Sequence, residues 1–235
     1  MLTQLDLIRI NEAHHAGPDA VAAALAACGN PSERAMVETA LAGMQDTDRN
    51  VRVAMLWTLG RHPVGAAADG ILAGLRDPER RVREVAIKCA QPFLAAGPVR
   101  AALVAIVRDD TEKRKLRELA LDALCGQVGG HAYGPLPGPA VTTLAHLLQD
   151  DAYRRAVIER LLRAELTPDV RALLEDVARD GAPAEVALAR RALGGEVVIN
   201  LGSVDDEAQR ATIAATHDPA YGRVYFWTAR APVEA

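Results

Sequence analysis

Aromatic side chains are scarce: the 235 residues include two Trp, four Tyr and two Phe. A core so poor in rings has to be built from Ala, Leu, Val and Ile, which suits closely packed helices. Lysine is rarer still, since Lys88, Lys113 and Lys115 are the only lysines among 27 basic side chains. The arginine bias, alongside abundant Ala, reads as genome composition and not as selection for phosphate binding. The three cysteines (Cys28, Cys89 and Cys125) are odd in number and far apart, which excludes a disulfide framework and leads us to expect a reduced, cytoplasmic protein. No apolar run approaches the roughly 20 residues that span a bilayer, and Met1–Asp6 has neither the basic start nor the apolar stretch of a secretion signal. No membrane association is expected. With 50% hydrophobic and 25% charged residues, wholesale disorder is excluded. The length fits one large domain or two small ones.

What is present is a repeat. Asp46-Thr47-Asp48-Arg49-Asn50-Val51-Arg52 and Asp77-Pro78-Glu79-Arg80-Arg81-Val82-Arg83 share the pattern D-x4-V-R without a gap. Asp109-Asp110 leading to Leu116-Arg117 is a third copy with one or two extra residues. Weaker copies begin at Asp151 and Asp180. These aspartates are separated by 31, 32, 42 and 29 residues, a period near 30 with an apolar helical pattern on each side. Val51, Ala54, Met55, Thr58 and Leu59 follow the spacing of one helical face, as do Val82, Val85, Ala86 and Ala90, and Leu116, Leu119, Ala120, Ala123 and Leu124. Asn30-Pro31-Ser32-Glu33, Asp77-Pro78 and Thr167-Pro168-Asp169 read as a cap followed by proline at the first helical position. Twelve helices are predicted: 3–15, 18–28, 31–45, 48–60, 67–76, 78–95, 98–109, 111–125, 139–149, 151–164, 168–179 and 182–194. No strand is expected before residue 196.

Paired helices of this length, with D-x4-V-R at the turn, resemble HEAT-like repeats of the short bacterial type also found in phycobilisome lyases. The resemblance covers residues 31–194 and is strongest over 44–125. It implies an all-α, right-handed solenoid of about five to six helical hairpins over 1–195, with capping helices over 1–45 and an inserted loop over 126–139. It also implies a structural ladder in which Asp46, Asp77 and Asp109 cap the second helices and pair along the stack with Arg52, Arg83 and Arg117. Arg154 lies outside that ladder and is expected to be dispensable. Residues 196–235 break the pattern. Glu196–Leu201 and Gly222–Thr228 read as two short strands flanking a helix capped by Ser203, an appended element that caps the stack or docks a partner.

In such stacks the second helices line the concave face. Superposing them from Val51, Val82 and Leu116 puts Val53 and Trp57, then Glu84, Lys88 and Gln91, then Glu118 and Asp122, on one candidate binding strip. Trp57 is a natural interface anchor. The loop insertion, five Gly and three Pro within 126–139, offers His131 and Tyr133 for polar contacts. Arg76, Arg80, Arg81, Arg108, Lys113, Arg114 and Lys115 cluster at turns, but acids alternate with them. Residues 46–125 carry a net charge of only +3 within a chain of −4.

None of the six histidines forms a metal-binding pair or lies near a cysteine in zinc spacing, and there is no nucleophile elbow, phosphate-binding glycine loop or dinucleotide fingerprint. No catalytic residue, metal or cofactor is expected, and the reading leans away from an enzyme. The expected function is a cytoplasmic scaffold or adaptor that binds a protein or peptide on its concave surface. The alternative is a DNA-binding protein resembling the alkylation-repeat glycosylases, for which Trp57, Lys88 and Asp122 would be the groove residues. A chromophore lyase shares the repeat type without a residue to support it.

Overall fold

Caps and prolines decide where the helices begin. The computed structural model describes residues 2–128, 131–132 and 135–194, and it is all-helical apart from one two-residue strand pairing. The twelve helices are α1 (Gln4–Ala16), α2 (Pro18–Ala27), α3 (Glu33–Gly43), α4 (Arg49–Arg61), α5 (Ala67–Leu75), α6 (Arg80–Cys89), α7 (Gly97–Arg108), α8 (Arg114–Leu124), α9 (Gly138–Leu148), α10 (Asp151–Leu161), α11 (Pro168–Asp180) and α12 (Pro183–Leu193). Thr167 caps α11 as expected, accepting from the Val170 amide with Pro168 at the first helical position. At α3 the cap is Ser32, not Asn30, and it accepts from the Ala35 amide at 3.2 Å. Asn30 instead takes a left-handed φ of 50° in the turn. Helix α6 stops at Cys89, well short of the expected residue 95. Pro92 has no amide hydrogen to continue it, so Gln91–Phe93 form a 3-10 turn.

Two compact units divide the chain between residues 133 and 134, inside the glycine- and proline-rich segment. In the first unit, α3 with α4, α5 with α6 and α7 with α8 pack as pairs. First helices also touch the next first helix (α3 on α5, α5 on α7), and second helices the next second helix (α4 on α6, α6 on α8). Helix α1 lies on α2, α3 and α4, whereas α2 packs chiefly on α1 among the described residues and buries no residue. In the second unit, α9 with α10 and α11 with α12 pair in the same way, with α9 on α11 and α10 on α12. This is a helical repeat architecture. No helix among the described residues is long and apolar enough to cross a membrane.

The core is aliphatic. Leu7, Met55, Leu56, Leu59, Ile71, Ile87, Leu103 and Leu124 are fully buried in the first unit, and Leu144, Leu147 and Ile158 in the second. Each such side chain contributes about 1.5–3 kcal/mol through burial. Gly74 lets α5 approach its neighbours closely, because a Cβ there would sit 2.7 Å from Leu56 Cδ2 and 2.9 Å from the Ala86 Cβ.

The repeated aspartates do not cap the second helices. Each braces its own turn, its Oδ1 accepting the amide two residues on: Asp46 from Asp48, Asp77 from Glu79, Asp109 from Thr111. The cap of α4 is Asp48, and that of α6 is Glu79 with no side-chain bond. The arginines then clasp the turns. Arg52 donates through Nη1 to the carbonyls of Asp46 and Thr47, and through Nε and Nη2 to both oxygens of Asp77 at 2.7 and 3.0 Å. Both side chains of this fork are about nine-tenths buried. Arg83 repeats the clasp on the carbonyls of Asp77 and Pro78, but its carboxylate is Glu112, not Asp109. The longer third turn explains the exchange, since Asp109 is occupied with the Thr111 amide and hydroxyl. Arg117 has only the exposed Asp110 of its own turn, and its Nε is buried without a hydrogen bond. Asp46 takes no arginine side chain among the described residues; it lends its carbonyl only.

Two further arginines make the same carbonyl contacts without the aspartate motif. Arg100 donates to the carbonyls of Leu94 and Ala95, and Arg154 to that of Leu148 at 2.6 Å. Arg154 is therefore part of the device and not outside it. Expected strands in 196–235 lie outside the described residues. The strand pairing that does occur was not expected: Gln127–Val128 pairs antiparallel with His131–Ala132 in the loop insertion.

Denaturant unfolding should rank these arginines. Arg52→Ala leaves Asp77 buried without a counter-charge and should cost about 3–5 kcal/mol. Arg83→Ala should cost about 1–3 kcal/mol and Arg154→Ala about 1 kcal/mol. Equal losses at Arg52 and Arg154 would show that the carbonyl contacts, not the carboxylate, hold the turns together.

Candidate functional site

Helix α1 shows its apolar face at Leu7 and Ile10, yet Asn11 continues that face and is only 8% exposed. A buried amide needs partners. Asn11 Nδ2 donates to the Ala54 carbonyl at 2.7 Å and to Thr58 Oγ1 at 2.9 Å, both on α4. Its Oδ1 accepts from Arg61 Nη1. Every strong donor and acceptor of the amide is thereby engaged, and α1 is pinned to α4 at a fixed height.

Beside this pin, the two helices leave a cavity of about 560 Å³. Ile8, Glu12 and His15 line it from α1, and Val51, Val53, Ala54 and Trp57 from α4. Asp48 and Asn50 close it at the start of α4, Arg61 at the end, and Arg81 reaches in from α6. Trp57 is half-buried, with the Arg61 guanidinium carbon 6.0 Å from the ring centroid, within cation–π range. Val51 and Ala54 were expected in the core by their helical spacing. They are half-buried and wall this cavity.

The remaining strip residues behave differently. Glu84 and Lys88 pair on α6 at 2.9 Å, and the Lys88 ammonium holds the Glu84 carboxyl below its usual range. Gln91 falls in the 3-10 turn beyond α6. Glu118 is exposed and paired with Arg114 at 2.7 Å, while Asp122 is half-buried on α8. Thus only Val53 and Trp57 of the expected strip line the cavity. His131 takes part in the strand pairing through its backbone, and Tyr133 lies outside the described residues. The turn arginines are partly neutralised by neighbours, as in Arg49–Glu79, Arg81–Glu84 and Arg114–Glu118.

Residues of α1 were absent from the sequence reading because residues 1–45 were treated as a cap, and Arg61 was not among the strip positions taken from the second helix. One signal was available: Asn11, a polar residue on the apolar face of α1. Burial pushes the Cys89 thiol up to about 12, so it stays protonated beside Gly60 and has no nucleophilic character at neutral pH. Among the described residues, no group of three or more His, Cys, Asp or Glu side chains could hold a metal ion.

The chain matches no protein-family model and no curated protein.

Replacing Asn11 with Ala frees the Ala54 carbonyl and the Thr58 hydroxyl inside the α1–α4 contact. The variant should lose about 1–3 kcal/mol in denaturant unfolding. Arg61→Ala, which removes a single partner of Asn11, should cost less. The opposite order would mean that Arg61, not Asn11, ties the helices together.

Proposed function

We propose that this chain is a non-catalytic cytoplasmic scaffold, a right-handed HEAT-like solenoid that binds a linear peptide or a protein segment in the groove between α1 and α4. The observation that carries the reading is the cavity walled by Trp57 and Val53, with a polar group at either end. A half-buried tryptophan beside open volume is suited to anchor a partner's apolar side chain, since tryptophan dominates interface energies more often than other residues. The contact pattern of helix pairs, with first helices on first helices and second on second, supports the HEAT-like resemblance and the solenoid built on it.

The DNA-binding reading draws less support. Lys88 is engaged with Glu84, the turn arginines alternate with acids that pair with them, and the whole chain is acidic. A phosphate backbone is held by free basic side chains, and its binding falls steeply with salt.

Peptides selected from a random linear library on the full chain should bind through Trp57. Trp57→Ala should weaken them by about 2 kcal/mol or more while leaving the far-ultraviolet circular dichroism intact. If stability falls by the same amount as binding, Trp57 belongs to the core and the groove reading fails. Fluorescence anisotropy with duplex DNA should show no salt-sensitive binding; tight binding that collapses between low and moderate salt would favour the nucleic-acid reading.

A further inference from the structure

Two arginines line the groove, and they differ in what answers their charge. Arg81 reaches the Glu84 carboxylate at 3.4 Å. Arg61 has no carboxylate within ion-pair distance among the described residues. Its one hydrogen bond goes to the neutral Asn11 Oδ1, and its planar face lies near Trp57. A guanidinium has five N–H donors, so most of this one remains available. Arg61 is exposed to solvent, so these donors can be reached from outside the groove. A guanidinium without a carboxylate partner can pair with an arriving one through charge-assisted hydrogen bonds.

The groove also has a direction. Asp48 stands at the first turn of α4 and Arg61 at the last, a helix of 13 residues or about 20 Å apart. Desolvation and the nearby Arg61 charge push the His14 pKa down, so this ring adds no positive charge at neutral pH, and His62 holds Glu33 at 3.2 Å. Glu12 on the α1 wall and Asp48 at the start of α4 oppose an acid elsewhere in the groove, and Arg81 is engaged with Glu84, which leaves Arg61 as the place where an acid can pair.

Resting on the groove reading above, we infer that the peptide recognised here carries an Asp or Glu side chain that pairs with Arg61, next to an apolar side chain packed against Trp57 and Val53. The fork of Arg61 can meet a carboxylate with two parallel hydrogen bonds, beside the indole whose centroid lies 6.0 Å from the guanidinium carbon. The carboxylate gives the site its preference, and the apolar neighbour supplies contact area.

The test uses the full chain and a library of random linear peptides with amidated C-termini. Wild type should enrich Asp or Glu beside an apolar residue. Arg61→Gln keeps an N–H donor for Asn11 but removes the charge, and it should bind the selected acidic peptides about 10-fold or more weaker. Replacing the peptide's acid with its amide should give the same loss, and the two changes together should add nothing further. Circular dichroism and thermal melting of Arg61→Gln confirm that the groove is intact. Peptides that need Trp57 but show no acidic preference, or that bind Arg61→Gln equally, overturn this inference and leave the groove reading standing. Binders indifferent to both substitutions, or no binders at all, overturn both. If only peptides with a free C-terminus bind, or if duplex DNA displaces the peptide at low salt, the side-chain assignment is overturned.

Discussion

The first unit depends on one interaction, the double grip of an arginine on a turn. Arg52 holds two carbonyls at the end of α3's hairpin turn with one nitrogen and the carboxylate of Asp77 with the other two. A single rigid side chain thereby satisfies backbone acceptors in one repeat and a buried charge in the next. Asp77 completes the link by bracing its own turn through the Glu79 amide, while its carbonyl accepts from Arg83. Each turn is thus fastened to its successor, and the spacing of the helix pairs follows from the reach of a guanidinium. The chain of contacts loosens at the third turn, where Arg117 has only a solvent-exposed acid.

The groove arises from the same economy of packing. Close helix contacts at Gly74 and the aliphatic core leave little free volume elsewhere in α4's surroundings. Between α1 and α4 the amide of Asn11 sets the distance, and an amide network holds two helices apart where apolar side chains would draw them together. Trp57 stands at the margin of that gap, half covered and unable to fill it. The cavity is thus a consequence of putting a polar residue where the helical pattern calls for an apolar one.

Number and position of the helices were legible because apolar residues recur at helical spacing through most of the chain and prolines mark the starts. The atomic role of the aspartates was not legible. A short acidic side chain before a helix can cap it or brace the preceding turn, and the same residues satisfy both patterns. Arg100 escaped notice, and Arg154 was placed outside the ladder, because the carbonyls they hold carry no side-chain signature. Arg83 takes Glu112 while Asp109 accepts from Thr111, a choice that spacing alone could not make among Asp109, Asp110 and Glu112. The groove was half legible: Trp57 and Val53 were singled out, but their facing wall on α1 was assigned to a cap, and Lys88 was given a free role that Glu84 denies it.

Helix α2 has a different standing from its neighbours. Among the described residues it packs chiefly on α1, and none of its ten residues is buried. Its hold on the unit is therefore little more than the propensity of an alanine-rich segment, and short helices of that kind are marginal in water. Local opening in a folded chain starts where the fewest apolar contacts must be broken. Among the described helices of the first unit, the amides of α2 should exchange early, and a protease should find a foothold there. Because α1 keeps its own grip on α3 and α4, that edge can fray while the wall of the groove stays in place.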